Sequence, residues 1–114
     1  MSVDVAIVGL GYVGLPLAQE ASRVGLKVLG FDIGQRVVDG LNSGKSHVDD
    51  LSDADIAEMQ GAGFEATTDS SRLADAKTIV ICVPTPLSED GGPDLGPVVS
   101  AVTTIRDNLQ KGML

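Results

Sequence analysis

An α/β fold, built on a doubly wound parallel sheet, is what this sequence predicts, and three observations carry the prediction. Two short β-branched apolar runs, VDVAIV at 3–8 and TIVICV at 78–83, do not alternate with polar residues, as expected of strands buried on both faces of a parallel sheet. Segments with helical spacing of apolar residues lie between and after them, and a chain that alternates strand and helix is built from right-handed crossovers. Finally, 114 residues with 43% hydrophobic content suit one globular domain, 1–114, and leave little room for a second.

The elements follow in order. After the strand at 3–8, residues 12–24 read as a helix whose apolar face is Val13, Leu17, Ala21 and Val24, with Gly25 where a helix stops. KVLGF at 27–31 returns to a strand pattern, and 35–42 is a short helix with Val37, Val38 and Leu41 on one side. The loop SGKSHVDDL leads to Ser52, which with Asp55 three residues on forms a capping-box start for a helix through Gln60. Residues 64–67 are a brief strand, SSRLADA a short helix, and 78–83 the fourth strand. PTPLSEDGGPD is a loop, and Asp94 caps a last helix to about Gln110 with Pro97 in its first turn.

Charge and cysteine content exclude several classes of function. The net charge of −8 comes from 16 acidic and 8 basic residues spread along the chain, which argues against an electrostatic grip on nucleic acid or an anionic membrane. No apolar run reaches the roughly 20 residues that span a bilayer, and there is no basic segment or cleavage site of a signal peptide at the start. With Cys82 as the single cysteine no internal disulfide can form, so a cytoplasmic, reducing setting is expected.

The most informative stretch is VGLGYVGLPLA, where three glycines stand between two apolar segments. Glycine costs the most backbone entropy there, so the backbone itself must be needed. Between a strand and a helix, Gly9 makes the tight turn, Gly11 lets a pyrophosphate approach the chain, and Gly14 lets the helix pack closely. The N–H groups at the helix start then face the phosphates, favoured by the helix dipole. Asp32 ends the second strand 18 residues after Gly14, the acidic partner that this dinucleotide-binding fingerprint requires. Its carboxylate accepts ribose hydroxyls and repels a 2′-phosphate, so NAD is the expected cofactor. Arg36 leaves three readings open: a 2′-phosphate contact that would favour NADP, a contact with adenine, or a solvated helix residue.

VGLGYVGLPLA together with ICVPTPL resembles the amino-terminal domain of the UDP-glucose/GDP-mannose dehydrogenase family, and FDI, LNSGKS, GFEATTD and GGPDL fall where its members carry similar segments. The resemblance covers essentially the whole chain, and GFEATTD is most similar to the branch acting on UDP-N-acetylhexosamines. It implies a Rossmann-like NAD-binding domain of an enzyme that oxidises the C6 hydroxymethyl of a nucleotide sugar to a carboxylate. That oxidation takes two NAD-dependent steps and a cysteine-bound intermediate. It also implies that Tyr12 and Val13 offer backbone N–H groups beside Gly9, Gly11 and Gly14. Asp32 would take the adenosine ribose, and Val83, Pro84 and Thr85 would pass the nicotinamide-side ribose. Many members have a basic residue five positions after the aspartate, where this chain has Val37, with Arg36 one earlier. The family's catalytic residues and sugar-binding domain lie beyond the equivalent of Leu114. The chain is therefore expected to be a fragment that binds NAD without turnover, the UDP-sugar engaging only the full-length enzyme.

Other candidates are weaker. Cys82 reads as a buried, inert thiol inside the fourth strand. His47 reads as a solvated loop residue with no second His or Cys nearby to make a metal site. Asp49, Asp50, Asp53 and Asp55 lack the glycine and glutamate of a calcium loop. In the strand order 3-2-1-4-5-6, a chain ending here leaves the fourth strand as an apolar edge without charge or proline, and a homo-oligomer is expected. Two alternatives stand beside the dehydrogenase: a free-standing nucleotide-sensing regulatory module, against which VPTP argues, and a dehydrogenase of another family that shares only the fold.

Overall fold

Strands β1 (Val3–Val8), β2 (Val28–Phe31), β3 (Glu65–Thr67) and β4 (Ala76–Ile81) pair in parallel in the order β3-β2-β1-β4. The computed structural model describes residues 3–49, 51–83, 92 and 95–108. Between the strands run α1 (Gly14–Arg23), α2 (Gln35–Asn42), α3 (Asp53–Gly61) and a 3₁₀ turn at Ser70–Asp75, and α4 (Gly96–Arg106) follows β4. The chain steps from β1 outward to β2 and β3, then crosses back to place β4 on the other side of β1. That reversal opens a crevice beyond the carboxyl ends of β1 and β4, where open α/β sheets hold ligands.

The inner strands are buried on both faces, as their composition predicts. Val5 and Ile7 face a cluster closed by α1, α2 and α3 through Leu15, Leu41 and Ile56. Ala6 and Val8 face a second cluster with Phe31, Leu73 and Ala101. Gly30 of β2 belongs to the first side, where an added Cβ would lie 2.9 Å from the Leu10 side chain. Leu10 fills the space that the missing side chain leaves.

β4 departs from the expectation. It begins at Ala76 rather than Thr78 and ends at Ile81, and of its six residues only Ala76 is buried. Its position at the edge of the described sheet is the physical reason, since only one neighbour covers it. The shifted start also brings in Lys77, an exposed charge 3.8 Å from Asp4, so the edge is not wholly apolar.

Helix α1 corrects a second expectation. Gly14, Leu15, Ala18 and Ser22 turn inward, whereas of the expected face only Ala21 packs against the core and Val13 and Val24 are 68% and 69% exposed. Both stripes satisfy helical spacing. The inner one wins because Gly14 and Ala18 carry almost no side chain, so the helix axis can approach the sheet and seat Leu15 in the core.

The capping box at α3 forms as read: Ser52 Oγ accepts the Asp55 N–H at 3.2 Å and Asp55 Oδ2 accepts the Ser52 N–H at 2.9 Å. At the far edge of the sheet the Asn42 side chain acts as a substitute strand, donating to the Ala66 carbonyl at 2.9 Å and accepting the Ala66 N–H at 3.1 Å. The predicted last helix is shorter than expected, and its cap Asp94 lies outside the described residues.

Candidate cofactor site

The glycine-rich loop leaves β1 at Gly9, which adopts φ +100°, a conformation that other residues rarely take. A Cβ there would also stand 2.6 Å from the Cys82 carbonyl oxygen at the end of β4. At Gly14 a Cβ would collide with the carbonyl oxygen of Gly9 and lie 3.3 Å from the Cys82 side chain. Both positions are therefore required by the fold, which brings the start of α1 against the loop and against β4. Gly11 differs, because nothing lies within 4 Å of its missing Cβ and its φ is not positive. The protein itself has no need of glycine at that point.

Gly11, Tyr12 and Val13 are exposed and lead into α1. The helix has no side-chain N-cap and no acidic residue in its first turn. Its unpaired N–H groups and the positive end of its dipole are thus available to an anion. Among the described residues, Gly11 takes part through its carbonyl, which accepts the Leu15 N–H at 3.1 Å.

Asp32 stands just past β2 and is half-buried. Its Oδ2 accepts the Leu10 N–H at 3.0 Å and its Oδ1 accepts the Gly34 N–H at 2.8 Å. The carboxylate thus ties the glycine-rich loop to the turn before α2. Two oxygens offer about four acceptor positions, so these bonds leave capacity for a further donor.

His47 is exposed on its loop, as expected, yet its ring is not free. Its Nε2 lies 2.5 Å from the Leu10 carbonyl oxygen, and because a carbonyl only accepts, Nε2 carries the proton. The contact spans 37 positions of sequence, and no local pattern could have announced it.

These elements line one cavity of about 1040 Å³ over the crevice, formed by the ends of β1, β2 and β4, the glycine-rich loop and the side of α4. That is ample for a dinucleotide. Gly9, Gly11, Tyr12, Val13, Asp32 and Val83 all reach it. Ile33, 88% exposed on its rim, and Ser100 and Thr104 of α4 are lining residues that the sequence reading did not single out. Arg36 does not line it; it is exposed on the first turn of α2, without an ion pair or hydrogen bond among the described residues. Pro84 and Thr85 lie outside the described residues.

Cys82 follows β4 rather than lying inside it. Its N–H continues the ladder, donating to the Val8 carbonyl at 2.7 Å, and its half-buried side chain borders the cavity. Burial pushes the thiol above its ordinary pKa, which disfavours the reactive thiolate.

A glycine-rich loop over a switch-point crevice, with an acidic residue at the end of the second strand, narrows the possibilities to dinucleotide-binding domains. A sequence model described as the NAD binding domain of the UDP-glucose/GDP-mannose dehydrogenases matches residues 3–114. The chain belongs to the UDP-glucose/GDP-mannose dehydrogenase family. The cofactor named for this domain is NAD, the one expected from Asp32.

Among its relatives in the family, a UDP-N-acetyl-D-glucosamine 6-dehydrogenase of Pseudomonas aeruginosa is 40% identical over 111 residues, covering 96% of this chain and 25% of the relative. A UDP-N-acetyl-D-mannosamine dehydrogenase of Salmonella typhi is 35% identical, covering 96% of this chain and 26% of the relative. The solved structure of a UDP-D-ManNAc dehydrogenase from Pyrococcus horikoshii superposes with a TM-score of 0.90 at 34% identity, covering 97% of this chain and 27% of that one. The chain therefore spans about a quarter of the length of the family members it matches. All three are named for a UDP-N-acetylhexosamine, the branch that GFEATTD suggested.

Proposed function

We propose that this chain is the NAD-binding part of a nucleotide-sugar 6-dehydrogenase that oxidises a UDP-N-acetylhexosamine to the corresponding uronic acid. The observation that carries the reading is the loop between β1 and α1, whose one sterically unneeded glycine, Gly11, faces the cavity beside an uncapped helix start. A backbone bare at that point suits the close approach of a pyrophosphate.

In this reading the N–H groups of Gly11, Tyr12 and Val13 donate to the pyrophosphate, and Gly9 and Gly14 hold the loop in the shape that aims them. Asp32 accepts the adenosine ribose hydroxyls with the acceptor positions that Leu10 and Gly34 leave unused. Its negative charge opposes a 2′-phosphate, which favours NAD over NADP. Val83, Pro84 and Thr85 pass the nicotinamide-side ribose. Arg36, exposed and off the cavity, is assigned no contact. NAD, when bound, supplies a hydride acceptor for the carbon being oxidised. The groups that bind the sugar and carry out the chemistry belong to the part of the family's length outside this chain.

The test is a fluorescence titration of the purified chain with NADH and NADPH, followed by an activity assay with UDP-N-acetylglucosamine and UDP-N-acetylmannosamine. Tighter binding of NADH and no NADH production from either sugar are expected. Equal affinity for the two cofactors removes the role of Asp32, and sustained turnover by this chain alone overturns its assignment as a cofactor-binding part.

A further inference from the structure

We propose that His47 is a positioning residue of the dinucleotide site, holding the Leu10 carbonyl so that the next N–H, that of Gly11, points into the cavity. The inference rests on the NAD reading above. Leu10 stands between two glycines, Gly9 packed against the Cys82 carbonyl and Gly11 open, so the peptide that joins Leu10 to Gly11 is the one whose turning over sterics restrain least. Three contacts oppose this. The Leu10 side chain is fully buried in the core, its N–H donates to Asp32 at 3.0 Å, and its C=O accepts from His47 Nε2 at 2.5 Å. Asp32 thereby fixes the peptide that joins Gly9 to Leu10, and His47 fixes the one that joins Leu10 to Gly11. Because a trans peptide is planar, with its N–H opposite its C=O, holding the Leu10 oxygen sets the direction of the Gly11 N–H.

The histidine is itself held in place. Next to it Val48 is 3% exposed within the core cluster, and the Ser46 N–H donates to Asp53 Oδ1 at 2.8 Å. Ser46 Oγ accepts the Val48 N–H at 3.1 Å, closing the turn around His47. A braced loop between α2 and α3 thus reaches back to the cofactor loop through one imidazole, which borders the site without lining it.

The experiment measures NADH affinity and ligand-free melting of the 114-residue chain carrying His47→Ala, His47→Gln or His47→Asn. The amide nitrogen of glutamine stands as far from Cα as Nε2 of histidine does, and that of asparagine is one carbon short. Alanine and asparagine should weaken NADH binding about five- to tenfold, the worth of one hydrogen bond, and glutamine should restore it to within about twofold. The backbone order parameter of the Gly11 amide in the ligand-free chain should fall in the first two variants and recover in the third. Unchanged affinity in the asparagine variant overturns the proposal, as does a loss that glutamine fails to repair, or a lower melting point with no change in affinity. Wild-type chain that binds no NADH overturns the dinucleotide reading instead, and the Gly11 order parameters then still decide whether His47 holds the loop.

Discussion

The Asp32 carboxylate and the Leu10 amide, 22 positions apart in sequence, meet at 3.0 Å. The carboxylate proposed to accept the ribose hydroxyls is thus already engaged in shaping the loop proposed to hold the pyrophosphate. In the proposed reading one residue serves both halves of the cofactor site, so its substitution should be felt in the fold as well as in binding.

Asp32→Ala leaves the Leu10 and Gly34 N–H groups without their acceptor, and a destabilisation of about 1–3 kcal/mol is expected. NADH binding should weaken as well, and the preference over NADPH should disappear. Asp32→Asn keeps one acceptor oxygen and should fall between the two. Urea unfolding combined with NADH titration checks this, and an alanine variant of wild-type stability would contradict the double role.

The glycines should separate cleanly. Gly14→Ala drives a methyl group into the Gly9 carbonyl, backbone against backbone with no flexible side chain to yield, and should cost about 3 kcal/mol or more. Gly11→Ala meets open space, so its melting point should stay near wild type while NADH affinity falls. Thermal melts and titrations of both variants suffice. A Gly11→Ala protein that binds NADH normally would show that no phosphate comes close to that position.

Ser22 is 6% exposed on the inner face of α1, and its Oγ has no hydrogen-bond partner among the described residues. A buried hydroxyl without a partner is unfavourable, and alanine is the better helix former. Ser22→Ala should therefore stabilise the chain by about 1 kcal/mol. A lower melting point for the variant would mean that the hydroxyl has a partner.

β4 pairs on one side only, with β1, among the described residues. Such an edge invites pairing, and Lys77 guards only its beginning, while Ile81 at its end is 39% exposed. The isolated chain should self-associate as its concentration rises, and NADH should raise its melting point, by about 2.7 kcal/mol of stability at a hundredfold excess over Kd. Light scattering across a concentration series and melts with and without NADH test the two effects. A strictly monomeric chain whose melt ignores NADH would contradict both.

What could be read from sequence was local or carried by strict spacing. The alternation of apolar runs and helical patterns defined the α/β class, because strand and helix periodicities arise within a few residues of one another. The reciprocal bonds of Ser52 and Asp55 span three positions and form wherever the helix begins there. The glycine spacing and Asp32 were legible for a similar reason: a tight turn from strand to helix, packed at Gly9 and Gly14 and tied by one carboxylate, has few solutions.

Tertiary structure decided everything that required two distant segments to meet. Apolar burial has no direction of its own, so two stripes of α1 competed on equal terms until docking on the sheet selected the one lined with Gly14 and Ala18. The same docking set the Cys82 carbonyl against Gly9, placed Asn42 along the edge of β3, and brought His47 onto Leu10 from 37 positions away. A hydrogen bond is as short-ranged across the fold as along the chain, and which donor finds which acceptor is known only once the backbone has delivered them to within about 3 Å.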